Sequence, residues 1–347
     1  MLYIIFLTGR CNLNCLYCGG SIPETVMPNE ITYSLKDLVK FISKDDRPSI
    51  AFYGGEPLLK ISLMEEIMEK IRAEHFILQT NGLLLDKLEP KFLRKFSTIL
   101  VSIDGVKEVN DFYRGKIYER VMENVKKIKK HFRGELIARM VVTERTDIYR
   151  DATHLLETFP YVHWQLNVVW TPEDFYQDFF GWIESYKAGI KRLVDYWIDR
   201  MKRGELKGIV PFLGITSSLL GKRHPAPPCG SGENSFAITT DGRVVACPIS
   251  ADLEWNWVGD IWSGIKKKKI LRKCECDVFE ICKGRCLFFN RERLWSEDKM
   301  NAICDATRYT IYELERNLPV IKSLVRAGKI GEKLFYPKFN NSTEIIP

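Results

Sequence analysis

The first half of the chain alternates between two textures. Runs of apolar, β-branched or aromatic residues occur at 2–7, 49–53, 76–80, 98–103, 136–142 and 162–169. Between them lie stretches at 34–44, 60–73, 86–96, 119–131 and 148–158, whose apolar residues recur at helical spacing. Strands buried on both faces read as near-continuous apolar runs. Strand–helix alternation predicts an α/β fold with a parallel sheet and right-handed crossovers, as a partial barrel or an open sheet. A long helical stretch at 181–203 follows the sixth run. Residues 204–228, with scattered glycines and "HPAPP", read as a linker. Beyond it, "FAITTDGRVVACP" reads as a hairpin around Asp241–Gly242. Residues 305–326 read as a closing helix, and the tail "YPKFNNSTEIIP" is expected to fray.

The length of 347 residues suits a barrel plus an appendage. No apolar stretch reaches the roughly 18 residues of a membrane span, and the N-terminus lacks the basic and small-residue features of a secretory signal. A cytoplasmic protein with no membrane partner is expected. The net charge of +7 is scattered except at 266–269, four lysines that read as a solvated helix face, so no nucleic-acid partner is expected. Ten cysteines without an export signal point to metal or redox chemistry rather than disulfides. Three fall within eight residues near the N-terminus, none between Cys18 and Cys229, and seven from 229 to 304.

In parallel α/β folds, chemistry gathers at the C-terminal ends of the strands. There the first run leads into "TGRCNLNCLYCGG" (8–20), the second into "GGEP" (54–57), the third into "TNG" (80–82) and the fourth into "SIDG" (102–105). All four would face one mouth. Three thiols at 11, 15 and 18 admit three readings. They could be buried small hydrophobes, or part of a structural zinc site, which wants four closed ligands. They could also hold a [4Fe–4S] cube, which needs a ligand on each iron, so three cysteines leave one iron open.

The C-x3-C-x-aromatic-C spacing, followed by "GGEP", resembles the radical S-adenosylmethionine (SAM) enzymes over about residues 1–215. The resemblance implies a partial (β/α)6 TIM-like barrel and a [4Fe–4S] cluster held by Cys11, Cys15 and Cys18. SAM would chelate the open iron and be cleaved reductively to a 5′-deoxyadenosyl radical that abstracts hydrogen from substrate. Gly54 and Gly55 would let backbone approach the methionine moiety. Glu56 would accept from its ammonium, and Pro57 would fix the turn. Tyr17 resembles an aromatic near the adenine. Ser102 and Arg114 resemble a Ser and Arg that bind SAM, the Arg fork suiting a carboxylate. Asn81 reads equally as a ribose ligand or a turn cap.

The later cysteines run C-x12-G-x4-C from Cys229 to Cys247, then Cys274, Cys276, Cys282, Cys286 and Cys304. This resembles the SPASM domain, the cysteine-rich auxiliary-cluster extension of radical SAM enzymes that modify peptides and proteins. It implies two auxiliary [4Fe–4S] clusters: an inner one on Cys229, Cys247 and Cys286, and an outer one on Cys274, Cys276, Cys282 and Cys304. The spacing at 274–276 is C-x-C where the pattern has C-x2-C. His224 stands as a surface residue or a fourth inner ligand. Pro248 stands where sulfatase-maturing relatives carry a proton-accepting Asp, and nothing in the sequence selects among Glu233, Asp241 and Asp252 as a replacement. The tryptophans at 255, 257, 262 and 295 are expected to fill the small domain's core. The divisions implied are 1–215, 216–310 and 311–347.

The function expected is hydrogen abstraction from a peptide or protein, as in a thioether or carbon–carbon crosslink, with a low-potential donor such as ferredoxin or flavodoxin. With the first strand expected at residues 2–7, recognition of any leader peptide is expected to fall to a separate protein or to the C-terminal module. The alternatives are the same chemistry on a small molecule, or a zinc-ribbon nucleic-acid-binding protein that leaves "CNLNCLYC" and "GGEP" unexplained.

Overall fold

The computed structural model describes residues 1–168, 171–266, 270–335 and Pro347. Six strands form where the apolar runs predict them: β1 (Leu2–Phe6), β2 (Ser49–Tyr53), β3 (His75–Thr80), β4 (Phe96–Ser102), β5 (Glu135–Val142) and β6 (Tyr161–Leu166). They pair in parallel in chain order, giving the partial barrel of the α/β class.

The expected linker is structured instead. Residues Gly208–Ile209 form β7, which pairs in parallel with β6, and Val210–Leu219 form a helix buried along much of its length. The stretch "GIVPFLGITSSLL" is largely apolar; its two glycines and proline disguise a strand-to-helix unit, with the proline at the helix start where it costs no hydrogen bond.

The hairpin is present as β8 (Ser235–Ile238) and β9 (Arg243–Val245), extended by β10 (Trp257–Asp260) and β11 (Gly264–Ile265). β8 runs parallel to β1, with Tyr3 opposite Phe236, so one eleven-stranded sheet spans both halves of the chain. The closing helix is longer than expected, Glu297–Arg326, and packs on the helix Phe179–Lys202. Trp295 is buried against Tyr176 and Phe179, but Trp262 and Trp257 are 57% and 38% exposed, contrary to the expected core role. Among the described residues no helix is long and apolar enough to cross a membrane. Residues 267–269 of the lysine run, Val169 of the sixth apolar run, and 336–346 of the tail lie outside the described residues.

Side chains alternate across each strand. Tyr3, Ile5 and Leu7 face the helices, while Leu2, Ile4 and Phe6 face the barrel interior with Ala51, Ile77, Leu100 and Ile137. Two residues further along, the same face turns polar: Tyr53 after Ala51, Gln79 after Ile77, Ser102 after Leu100 and Arg139 after Ile137. The barrel has an apolar floor and a polar mouth.

Candidate functional site

The loop after β1 is fixed by backbone and side-chain bonds. Cys18 N and Gly19 N donate to Cys15 O at 3.1 and 3.0 Å, Cys11 N donates to Ser21 Oγ at 2.9 Å, and Leu16 N donates to Tyr113 O at 2.9 Å. Cys11, Cys15 and Cys18 thereby line one cavity of about 430 Å³. Its walls also carry Tyr17, Gly54, Gly55, Glu56, Asn81, Ser102 and Arg114. Pro57 does not reach the cavity; it is buried at the start of the short helical turn Pro57–Lys60.

The Cys15 and Cys18 thiols share a hydrogen bond, which pushes Cys18 down to about 6 and Cys15 up; Arg114 favours the thiolate at both. Burial raises Cys11. The loop can present thiolate ligands, and the three cysteines line one cavity whose wall carries no fourth cysteine or histidine among the described residues. Among the described residues no three His, Cys, Asp or Glu side chains converge closely enough to grip a single ion. Three thiols around a void with one position unfilled fit a [4Fe–4S] cluster with an open iron better than a closed four-ligand zinc site.

Several of these residues also make structural contacts. The space beside Gly54 and Gly55 faces the cysteine loop: a Cβ there would stand 2.4 Å from Thr8 O and 2.2 Å from Arg10 O. The glycines let β2 nest against that loop, where Gly55 N donates to Thr8 O and Glu56 N to Arg10 O. The Glu56 carboxylate is buried and accepts from Leu58 N, Thr80 Oγ1 and Asn81 N at 3.0, 2.7 and 2.8 Å. Burial outweighs these donors and pushes its pKa up to about 7. Asn81 accepts from Leu83 N and donates to Asn12 Oδ1, so it caps the turn and braces the loop.

Both Nε and Nη2 of Arg114 are taken by Asp104, at 2.8 and 3.0 Å, rather than left for a ligand. Tyr17 donates to Asp104 Oδ2 at 2.6 Å, Val141 N donates to Oδ1 at 2.9 Å, and the Arg114 guanidinium lies 5.5 Å from the Tyr17 ring. A fully buried carboxylate needs such partners, and Asp104 is 0% exposed. Within "SIDG" nothing in the sequence marks Asp104 as the partner of Arg114. Arg139 is also missed. It lines the same cavity from β5, donates from Nη2 to Gln165 Oε1, and its buried Nε has no partner among the described residues. Its signal lies in strand parity, two residues beyond the inward Ile137.

The later cysteines separate into two sets. Cys229 and Cys247 line a cavity of about 60 Å³, and Cys286 lines another of about 140 Å³; Tyr53, Arg139, Gln165 and Ile249 border both. Tyr53 and Arg139 also border the large cavity, so these three cysteines adjoin the mouth that holds the first three. Cys274, Cys276, Cys282 and Cys304 form the second set: burial, opposed by Arg285 and reinforced by Cys304, Cys276 and Cys274, pushes Cys282 up to about 11, and burial together with Cys276 raises Cys274 and Cys304. Both members of the C-x-C pair belong to it. Asn256, fully buried, holds the Cys247 loop, accepting from Cys247 N and donating to Cys247 O and Ser250 O, all at 2.8 Å.

His224 contacts Ser217 Oγ at 3.4 Å and borders none of these three cavities. Pro248 stands on the wall of the large cavity. Of the three nearby acids, Asp241 pairs with Arg243 and Glu233 accepts from Ala226 N, while Asp252 lines the cavity rim.

A family model described as the radical SAM superfamily matches residues 5–156. A cysteine-type anaerobic sulfatase-maturating enzyme of Clostridium novyi is 25% identical over 271 residues, 69% of this chain and 71% of that protein. The Fe-coproporphyrin III synthase of Methanosarcina barkeri is 34% identical over 113 residues, 31% of this chain and only 28% of that protein. Among solved structures, anSMEcpe with bound AdoMet and Cp18Cys peptide superposes with a TM-score of 0.72 at 22% identity, covering 93% of this chain and 99% of the other. Streptococcus suis SuiB bound to precursor peptide SuiA gives 0.54 at 15% identity, covering 82% and 71%. At these identities the structures speak to the fold.

Proposed function

Residues 5–156 place this chain in the radical SAM superfamily as a radical SAM enzyme, and from that premise we propose that its substrate is a peptide or protein. The observation that carries the reading is the junction of two cysteine sets at one mouth: the N-terminal triplet and Cys229, Cys247 and Cys286 all border cavities that share Tyr53 and Arg139. Likeness along nearly the whole chain supports it, since those structures were solved with peptides.

Cys11, Cys15 and Cys18 would hold the [4Fe–4S] cluster, with SAM completing the open iron. The bound pair supplies an electron and a 5′-deoxyadenosyl radical that takes a hydrogen atom from substrate. Ser102 and Arg139 would meet the SAM carboxylate, Arg139 through an Nε that has no partner among the described residues, while Asp104 occupies Nε and Nη2 of Arg114. Arg114, Asp104 and Tyr17 would hold the cysteine loop in place. The apolar floor and the hairpin β8–β9 covering β1 restrict water around a reactive species. Cys229, Cys247 and Cys286 would ligate one auxiliary cluster, and Cys274, Cys276, Cys282 and Cys304 a second. A ferredoxin or flavodoxin would supply the electron.

The second reading, a small-molecule substrate, is favoured by one observation: relatives named for small-molecule substrates or products, two of them tetrapyrrole synthases, are 31–34% identical, above the 25% of the sulfatase-maturating enzyme. Their matches cover about a third of this chain, whereas the peptide-bound structures extend through the cysteine-rich half.

Anaerobic reconstitution followed by mass spectrometry tests the proposal. Candidate peptides come from short reading frames beside the gene. Turnover with SAM and a reductant is expected to change the mass of one such peptide by loss of hydrogen, with SAM consumed in step. SAM cleavage coupled to a small molecule and to no peptide would overturn it.

A further inference from the structure

Arg285 stands among the later cysteines and carries a charge that neither cluster ligation nor SAM binding uses. It is 3% exposed. It ends a turn in which Lys283, Gly284 and Arg285 follow one another at φ 51°, 81° and 63°. Left-handed backbone at a non-glycine residue persists only where the surroundings impose it. The turn links Cys282 to Cys286: Arg285 N donates to Cys282 O at 3.0 Å, and Cys286 is the next residue. The Arg285 side chain is held from several sides. Its Nε donates at 3.1 Å to Oγ1 of Thr307, one turn beyond Cys304 on the helix Glu297–Arg326. Its guanidinium lies 4.9 Å from the Phe289 ring, and its Nη2 donates to an oxygen of Pro347.

These contacts lodge the guanidinium beside Cys282 and Cys304. Its charge is felt there, since it works against burial at both thiols and favours their thiolates. Arg308 also lies near this set, but its side chain is 32% exposed and paired with Asp277 and Asp305, so water and carboxylates screen it. Arg285 has no such exposure to water. An iron–sulfur cluster becomes more negative when it takes an electron, and its potential follows local charge, hydrogen bonds to sulfur and solvent exposure. A cation fixed out of water beside it favours the reduced form, and the low-dielectric surroundings keep that effect strong.

We propose that Arg285 tunes the cluster held by Cys274, Cys276, Cys282 and Cys304, raising its reduction potential so that it takes up an electron more readily than burial among four thiolates would allow. The inference rests on the assignment of those four cysteines to one cluster and adds what sets that cluster's electron affinity.

Redox titration of the anaerobically reconstituted full chain tests it, followed by electron paramagnetic resonance with iron counted in each protein. Two neutral variants are set against the wild type: Arg285→Gln, which keeps much of the bulk, and Arg285→Gly, which adopts φ 63° without strain. Each should make reduction of one cluster about tenfold less favourable, a fall of about 59 mV for one electron. Arg285→Lys, which keeps the charge, should stay close to the wild type. The N-terminal cluster, recognised by the change that SAM makes in its signal, should not move. Unshifted potentials in a neutral variant with wild-type iron content would overturn the inference, as would an equal fall in Arg285→Lys. Loss of the cluster from both neutral variants would also overturn it, as the mark of a purely structural role. A wild type that loads iron for fewer than three cubes would overturn the cluster assignment, and the inference with it, before any potential is read.

Discussion

Asp104 holds Arg114 through both Nε and Nη2, at 2.8 and 3.0 Å, with each side chain buried. The pair joins the end of β4 to the helix Lys107–Arg114, and Tyr17 ties it to the cysteine loop. Removing one partner of such a pair strands the other charge away from water. Asp104→Ala is expected to lower unfolding free energy by about 3–5 kcal/mol. Combining it with Arg114→Met should cost less than the sum of the two. Denaturant unfolding of the four proteins checks this; additive losses would mean the ion pair is not the stabilising element.

Gly54 and Gly55 are set by the cysteine loop's backbone, which cannot retreat as a flexible side chain could. Gly54 also sits at φ 140°. Gly54→Ala and Gly55→Ala are each expected to cost more than about 1 kcal/mol. Both should reduce iron retained near Cys11, Cys15 and Cys18, before any effect on SAM is considered. Thermal melting and iron assay of the purified variants test this.

Glu56 supplies a pH dependence. Burial raises its folded pKa from 4.5 to about 7. A carboxyl whose folded pKa is raised binds its proton more tightly when folded, so its contribution is fully present below pH 4.5 and is lost as pH rises through 7. The loss amounts to about 3 kcal/mol. Stability of the wild-type chain should fall across that window relative to Glu56→Gln, whose neutral amide does not titrate. Melting temperatures between pH 4.5 and 8 measure the difference; parallel profiles would contradict it.

Much of this arrangement is legible in the sequence, for identifiable reasons. A parallel strand buried on both faces has little choice but to read as an apolar run, so Ser49–Tyr53 emerges to the residue. The cysteines stand out because few chemistries need thiols at such spacing. What escapes reading is reciprocity between distant residues. Arg114 looks like a ligand clamp until Asp104, ten residues earlier, is seen to fill its fork. That Thr80 and Asn81 also donate to Glu56 is likewise invisible from its place in "GGEP". Strand parity, carried two residues beyond each inward apolar position, would have found Arg139. The apolar composition of 208–220 would have recovered β7 and its helix.

Asn256 separates the two cysteine regions experimentally. Its amide makes three hydrogen bonds at the Cys247 loop. Asn256→Ala should cost about 2–4 kcal/mol. It should also remove roughly four iron atoms, one cube's worth, while the N-terminal set stays loaded. Iron quantification together with electron paramagnetic resonance of the reduced protein distinguishes this from general unfolding.

Cys11, Cys15 and Cys18, proposed as a cluster site, line the large cavity, which Cys229, Cys247 and Cys286 do not border. The most direct measurement of that proposal is 5′-deoxyadenosine production by Cys15→Ala, reconstituted anaerobically beside the wild type with iron counted in both. About twelve iron atoms are expected in the wild type, about eight in the variant, and no SAM cleavage by the variant. Cleavage at the wild-type rate, or zinc retained in air with no sulfide in the wild type, would contradict it.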